Sequence, residues 1–181
     1  MYKKNADLVS IIMPAYNAEK TISDSIDSVI NQKYQNWELI VTDDCSTDRT
    51  LDILREYAKK DKRIKVISSK TNRGPALSRN SSISSSNGMF IAFLDSDDLW
   101  LPEKLTYSLS FAKKNPNVGL IYTAYRRISF NHSTIGRLIQ VPKTVDYKTL
   151  LGGNVIATLM LRPYSLEKSK KAVSAARFPS S

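Results

Sequence analysis

The chain has 181 residues, 41% of them hydrophobic and 24% charged, the balance of a soluble globular domain with a real core. Twenty-seven basic residues against 17 acidic ones leave a net charge of +10, which favours an anionic partner: nucleic acid, an acidic membrane surface or a phosphorylated substrate. No apolar run is long enough to span a membrane, and the single cysteine, Cys45, excludes an internal disulfide or a cysteine-based zinc cage.

The sole histidine, His132, leaves little material for a histidine-centred metal site or a Ser-His-Asp triad, so Cys45 and His132 read as structural. Nucleic acid is the weaker partner and is set aside: no DNA- or RNA-binding motif is present, and the bases do not interleave with aromatics. Lys3 and Lys4 are followed by Asn5, Ala6 and Asp7 rather than by an apolar signal core, so the expected location is cytoplasmic. An anionic membrane surface on the inner face remains a candidate partner.

Leu8–Ala15 is an apolar, β-branched run stopped by Pro14, which predicts a buried strand. Ile22, Ile26, Val29 and Ile30 then recur at helical spacing. Trp37–Val41 predicts a second strand ending at Asp43-Asp44. Ser46 and Thr47 are N-cap candidates for a helix lined by Leu51, Leu54 and Ala58. Ile64–Ile67 is a third strand. Gly74-Pro75 opens a serine-rich helical segment marked by Leu77 and Ile83, which Gly88 can close with a left-handed cap. Met89–Leu94 is a fourth strand. Pro102 sits where a first-turn proline belongs, ahead of Leu105, Leu109 and Ala112. After the Asn115-Pro116-Asn117 turn, Val118–Tyr125 reads as a fifth strand.

This alternation of strands and helices with short connections predicts an α/β fold, a mostly parallel sheet with helices on both faces. Ligands on such sheets bind at the carboxyl ends of the strands. Three of those ends carry Pro14-Ala15-Tyr16, Asp43-Asp44 and Asp95-Ser96-Asp97, so polar and aromatic groups converge on one edge. Neither a Gly-x-Gly-x-x-Gly turn nor a Walker loop is present, so phosphate charge must be met by a metal and by Arg or Lys.

The densest signal is Asp95-Ser96-Asp97-Asp98, three carboxylates within four residues at a strand's end. Bunched acids repel, and a bound cation is the commonest reason for them. Hard cations such as Mg²⁺ or Mn²⁺ take oxygen ligands and keep positions open for substrate phosphates. The segment reads as a metal and nucleotide-diphosphate site, against the plainer reading of a helix cap with solvated acids.

Four segments in order resemble the family-two (inverting) nucleotide-sugar glycosyltransferases of the GT-A fold: Val9–Glu19, Val41–Asp48, Asn72-Arg73-Gly74 with Arg79-Asn80, and Phe93–Leu105. Cys45 stands where that family usually has Gly. The resemblance implies a nucleotide-diphospho-sugar transferase architecture and a set of roles. Pro14, Ala15, Tyr16 and Glu19 would border the base and ribose. Asp44 would accept a hydrogen bond from the base, Asp95 and Ser96 would approach the ribose side, and Arg79 would sit near the nucleotide. Asp97 would hold a divalent metal, Mn²⁺ or Mg²⁺, on the diphosphate. The donor would be a nucleotide-diphosphate sugar, and the acceptor a glycan or lipid-linked sugar of a surface polysaccharide.

An inverting transferase also needs a general base for the acceptor hydroxyl. In the family this is an Asp within a Glu-Asp pair. Gly152-Gly153-Asn154-Val155-Ile156 resembles the segment before it, but no such pair follows, and Glu167 is the only acid after Asp146. The chain therefore reads as a truncated or frame-altered member. The expected division is a donor-binding half over 1–130, the start of an acceptor region over 131–161, and a basic, disordered tail over 162–181. The catalytic base is not identified. Two rivals stand beside the enzyme reading. One is a non-catalytic nucleotide-sugar-binding module. The other is a metal-dependent phosphatase, which usually needs a nucleophilic Asp on the first strand, where Leu8–Ala15 has none.

Overall fold

The computed structural model describes residues 5–129, 133–145, 159–161 and 173–175. They belong to two compact units, Met1–Thr106 and Tyr107–Ser181. The first unit alternates β1 (Asn5–Ala15), α1 (Ile22–Ile30), β2 (Trp37–Asp43), α2 (Thr50–Lys60), β3 (Ile64–Ser68), α3 (Pro75–Ser84) and β4 (Gly88–Phe93). Its strands pair in parallel in the order β3-β2-β1-β4. Val9, Ile11, Ile12 and Met13 of β1 are fully buried, and every residue of β2 is buried. Strands covered on both faces read as continuous apolar runs, which is why these segments show little alternation.

Right-handed crossovers fix where the helices go. The chain steps from β1 to β2 to β3 in one direction and returns from β3 to β4 in the other. So α1 and α2 cover one face and α3 the other. The direction of winding reverses between β1 and β4, and a crevice opens at such a switch point beyond the strands' carboxyl ends.

The serine-rich α3 forms because its serines have specific uses. Ser78 and Ser82, one turn apart, are fully buried, and Ser82 Oγ lies 2.6 Å from Thr42 Oγ1 on β2. Small side chains there let the helix approach the sheet closely. Ser81 and Ser84 instead donate to the carbonyls of Leu77 and Asn80 four residues back, each at 3.0 Å.

Four local expectations differ from the structure. Gly88 does not cap α3: Ser85 ends the helix, and Gly88 is the first residue of β4. A Cβ at Gly88 would lie 2.6 Å from the Leu8 carbonyl oxygen and 2.7 Å from Ser10 Oγ, so glycine is required there for close approach. Pro102 precedes the first turn of α4 (Lys104–Lys114), its carbonyl accepting from Lys33 N at 2.8 Å. Ser46 and Thr47 do not cap α2, whose N-cap is Arg49. The segment Val118–Tyr125 is not one strand: Val118 N closes the preceding turn onto Asn115 O, only Leu120–Tyr122 is strand, and Tyr125 begins another.

The second unit accordingly contains β5 (Leu120–Tyr122), β6 (Tyr125–Ile128), β7 (Ile135–Ile139), β8 (Thr144–Val145), β9 (Leu159–Leu161) and β10 (Val173–Ala175). Strand β5 pairs antiparallel with β9 and parallel with β10, β10 pairs antiparallel with β8, and β6–β7 is a separate two-stranded ribbon. Of the tail over 162–181, only Val173–Ala175 is among the described residues, as strand β10. Gly152-Gly153-Asn154 and Glu167 lie outside them.

At the amino ends of the first unit's strands, one buried carboxylate ties the sheet together. Glu38 on β2 accepts from Ser10 Oγ on β1 at 2.6 Å, Lys65 Nζ on β3 at 2.8 Å and Asn87 N, just before β4, at 2.6 Å. Ser10 Oγ in turn accepts from Gly88 N at 2.8 Å. Burial alone would push the Glu38 carboxyl up, but the donors from Lys65, Ser10 and Asn87 outweigh it and hold the carboxyl below its ordinary value.

At the carboxyl ends, the loops after β1 and β2 are laced to each other. Asn17 N donates to Ser46 Oγ at 3.0 Å, Thr47 N to Asn17 Oδ1 at 2.8 Å and Ala18 N to Thr50 Oγ1 at 2.8 Å. Glu19 N donates to Asp48 Oδ2 and Arg49 N to Glu19 Oε2, each at 3.1 Å. Ser46 and Thr47 are thus spent on the neighbouring loop rather than on a helix end. In this loop Cys45 holds a left-handed backbone, φ 65°, which accounts for glycine being the family's usual residue.

Replacing Glu38 by Gln should cost about 1.5–3 kcal/mol at neutral pH, the range for a hydrogen bond to a charged group. A carboxyl whose value is lowered by folding contributes stability that is present above its unfolded value and lost as pH falls through the folded one. Denaturant titrations in an acid series should show the wild-type advantage over Glu38→Gln shrinking below the ordinary glutamate range. A constant difference would contradict the network.

Cys45→Gly should raise the melting temperature. It removes left-handed strain of about 1–2 kcal/mol against about 0.4–1 kcal/mol of added unfolded-state entropy. A clear fall in melting temperature would mean that the Cys45 side chain contributes more than its strain costs.

Candidate functional site

The strand registers bring the sequence-predicted residues to one edge. Ala15 is opposite Asp43, Asp43 opposite Ser68, and Ile12 opposite Phe93. Two further bonds prolong the ladder, Asp44 N to Ala15 O at 2.8 Å and Leu94 N to Ile12 O at 3.1 Å. Pro14, Ala15, Asp44 and Asp95 therefore all stand at or just beyond the carboxyl ends, with Ala15 and Leu94 flanking the switch point between β1 and β4.

Tyr16 follows Ala15 directly and is half exposed, a large aromatic left in solvent at the end of a fully buried strand. Its ring face is free for stacking. Glu19, by contrast, is a brace: its carboxylate accepts from Arg49 N at the start of α2.

Asp44 is buried, and both of its oxygens are engaged by backbone. Arg73 N donates to Oδ1 and Oδ2 at 3.0 and 3.1 Å, and Gly74 N to Oδ2 at 2.7 Å. Gly74 is the N-cap of α3, and Arg73 is the residue before it. Gly74 has φ 85°, a left-handed value that presents its amide to Asp44 and leads into Pro75 at the helix's first position. Asp44 thus fastens the 69–74 loop over the sheet edge. A carboxylate has about four lone-pair sites, so acceptor capacity remains. Sequence reasoning missed Arg73 and Gly74 as the partners of Asp44; the Gly-Pro pair after an Asn-Arg was the available signal. Asp43, which the sequence places at the same edge, accepts from Ser46 N with Oδ2 at 3.3 Å, while Oδ1 is buried with no partner among the described residues.

Arg79 reaches from α3 to Asp95 with a nitrogen–oxygen distance of 2.5 Å, the arginine about one-third and the aspartate about one-half exposed. The pair joins α3 to the end of β4 and orients both groups across the edge. Ser96 is partly buried, and Asp97 and Asp98 are exposed in the turn that Asp98 N closes onto Asp95 O at 3.1 Å. Local desolvation, with the charges of Asp97 and Asp95 beside it, pushes the Asp98 carboxyl up.

No group of three or more His, Cys, Asp or Glu side chains able to hold a metal occurs among the described residues. A cation carried on a diphosphate does not need one. It takes one or two protein carboxylates and completes its shell with phosphate oxygens and water. Asp97, exposed and with no partner among the described residues, fits that donor set, and Asp95 beside it is already neutralised by Arg79.

Comparisons with known proteins bear on the family and the fold. The chain is 38% identical over 152 residues to TuaG of Bacillus subtilis (strain 168), a glycosyltransferase named for teichuronic acid biosynthesis, covering 84% of this chain and 60% of that protein. It is 43% identical over 165 residues to the UDP-Glc:alpha-D-GlcNAc-diphosphoundecaprenol beta-1,3-glucosyltransferase WfgD of Escherichia coli, covering 87% and 63%. It thus spans about three-fifths of the length of these relatives. Among solved structures it is similar to residues 1–349 of S. aureus TarS in complex with UDP-GlcNAc, with TM-score 0.74 and 25% identity over 96% of this chain and 56% of that one. It also resembles the mannosyltransferase PcManGT from Pyrobaculum calidifontis in complex with GDP-Man and Mn²⁺, with TM-score 0.61 and 26% identity over 66% and 35%. The family model described as Glycosyl transferase family 2 matches residues 10–168. By fold, by the sheet edge that gathers its acids, and by this match, the chain belongs to glycosyl transferase family 2.

Proposed function

We propose that this chain carries the donor-binding part of a glycosyltransferase that takes a sugar from a nucleotide-diphosphate donor and passes it to a glycan or lipid-linked acceptor in surface polysaccharide synthesis. The observation that carries the reading is the convergence, at one parallel-sheet edge, of an exposed aromatic ring, an arginine–aspartate pair and an acid cluster with unspent charge. The nucleobase stacks on Tyr16. The loop fastened by Asp44 closes over it, with the one remaining acceptor site of Asp44, on Oδ1, offered to the base. Pro14 and Ala15 form the floor, and Glu19 acts indirectly by holding the loop that carries Tyr16. Arg79, fixed by Asp95, and Ser96 face the ribose and diphosphate side.

Asp97 holds the divalent cation, Mn²⁺ or Mg²⁺, that arrives with the diphosphate. When bound, such a cation supplies Lewis-acid stabilisation of the leaving group. Support for the donor class comes from the UDP-GlcNAc and GDP-Man complexes of the similar structures, and for a lipid-linked acceptor from the name of WfgD. Such an acceptor places the work at the inner, cytoplasmic face of a membrane. In this reading residues 1–130 serve the donor and 131–161 begin the acceptor side.

Asp97→Ala should abolish the Mn²⁺-dependent part of nucleoside-diphosphate affinity while leaving thermal stability unchanged, because Asp97 is exposed and makes no contact on which the fold depends. Calorimetry with and without Mn²⁺ measures it. Unchanged affinity would remove Asp97 from the site.

Transfer itself is read as nucleoside-diphosphate release from UDP- and GDP-sugars, with and without a lipid-linked acceptor extract. Acceptor-dependent release is the expected outcome if the acceptor-side base is within this chain. Binding without release would reduce the chain to a donor-binding module. Failure to bind any nucleoside diphosphate would overturn the proposal.

A further inference from the structure

The net charge is not spread over the chain. Met1–Thr106 contains 15 Lys and Arg and 15 Asp and Glu, a balance of zero, whereas Tyr107–Ser181 contains 12 bases and 2 acids, a balance of +10. The whole excess therefore resides in the second unit, and no acid occurs anywhere between Lys104 and Val145. The donor site lies in the neutral unit, so this excess is not explained by the donor's phosphates.

The ribbon β6–β7 belongs to the charged unit and has an unusual face. Its register pairs Arg126 with Leu138 and Ile128 with Ile135, with an irregularity between them. One residue on β6, Arg127, is opposed there by two on β7, Gly136 and Arg137, which is the count of a β-bulge. The Cβ of any other residue at Gly136 would lie 3.0 Å from the Arg127 carbonyl oxygen. The bulge turns Ile135 and Leu138, three positions apart, to the same side, and directly opposed residues share a face. Ile128, Ile135 and Leu138 thus stand together with Arg126. They are 38, 67 and 42% exposed. Arg126, Arg127 and Arg137 are all exposed, and Arg126 braces the ribbon by donating to Gly136 O at 3.0 Å.

From this arrangement we propose that the β6–β7 ribbon docks on an anionic lipid surface, Ile128, Ile135 and Leu138 entering the headgroup boundary with Arg126 beside them on the same face, while Arg127 and Arg137, on the opposite face, add to the attracting positive field. The aliphatic content favours lipid over a nucleic acid, which would be read by aromatic stacking and phosphate contacts. The acid-free charge of the surrounding segment matches a negative membrane surface in sign and supplies long-range attraction to it. A lone two-stranded ribbon is marginal in water, so an apolar partner surface would also steady it. The inference deepens the membrane-side reading above. It stands apart from the donor contacts: the residues placed against the donor, Pro14 to Asp97, are all in the first unit, and β6, although within the 1–130 segment, contains none of them.

The test is co-sedimentation of the full chain with vesicles of phosphatidylcholine alone or with one-third phosphatidylglycerol. The wild type should partition onto the anionic vesicles, less so at raised salt, and hardly at all onto the neutral ones. Arg126→Gln should weaken partitioning roughly fivefold, and Arg127→Gln or Arg137→Gln, on the far face, by less. Ile135→Ser with Leu138→Ser should weaken it at unchanged charge. Circular dichroism and retained nucleoside-diphosphate affinity would show that these variants stay folded and that the donor reading is intact. Three results would overturn the proposal: equal binding to neutral vesicles, full binding by the ribbon variants with loss only when the five bases of 162–181 are neutralised, or a concentration-dependent dimer that the serine variant dissolves without altering lipid binding.

Discussion

A single buried carboxylate holds the parallel sheet in register. Glu38 reaches one strand to either side and the start of a third, and its charge is met by an ammonium, a hydroxyl, a side-chain amide and a backbone amide. A buried charge is tolerable only when its acceptor sites are filled, and the penalty for leaving it unfilled makes the arrangement specific. If β1 slipped by one residue against β2, Ser10 would leave Glu38 and present its hydroxyl to the opposite face. Gly88 is part of the same constraint, because the space a Cβ would need is occupied by Ser10 and the Leu8 carbonyl.

The two ends of the sheet are opposite in their electrostatics. At the amino end a carboxylate is saturated and its proton affinity lowered. At the carboxyl end Asp95, Asp97 and Asp98 crowd one turn, a single arginine among the described residues answers one of them, and local desolvation pushes Asp98 the other way. Unneutralised charge does not by itself stabilise a fold, and this imbalance is what the proposed donor site rests on. The loops beside it are rigid for a related reason. The lacing of Asn17, Glu19, Ser46, Thr47 and Asp48 consumes their polar groups within the protein, which leaves Tyr16 exposed on a fixed base.

The strands and helices of the first unit were legible in the sequence because buried parallel strands and amphipathic helices imprint long periodic signals. The misreadings fall where one residue could serve two geometries. Gly88 could be a left-handed cap or a point of close approach, and only the position of Ser10, far away in sequence, decides between them. Ser46 and Thr47 look like N-caps in any local window; their partner is Asn17 in another loop. Cys45 departs from the family's usual glycine, and the structure accounts for the glycine, since the position is left-handed whichever residue fills it. The double use of Asp44, as an acid at the edge and as anchor for Arg73 and Gly74, was likewise invisible, because backbone acceptors leave no trace in side-chain pattern.

The second unit was harder to read, and its chemistry explains why. Its strands are short, from two to five residues, so periodicity has little length in which to appear. In β6–β7 the bulge also breaks the period-two rule, placing Ile135 and Leu138 on one side although their spacing is odd. Read as a simple strand, Ile135–Ile139 would divide its aliphatics between two faces and show no patch at all. The exposed patch is thus a product of the bulge, and the bulge in turn depends on Gly136 fitting against the Arg127 carbonyl. A feature that needs a bulge and a glycine to expose aliphatic side chains beside arginines runs against the economy of a merely solvated ribbon. The proposed docking on a surface that is both apolar and negative would offset that local cost.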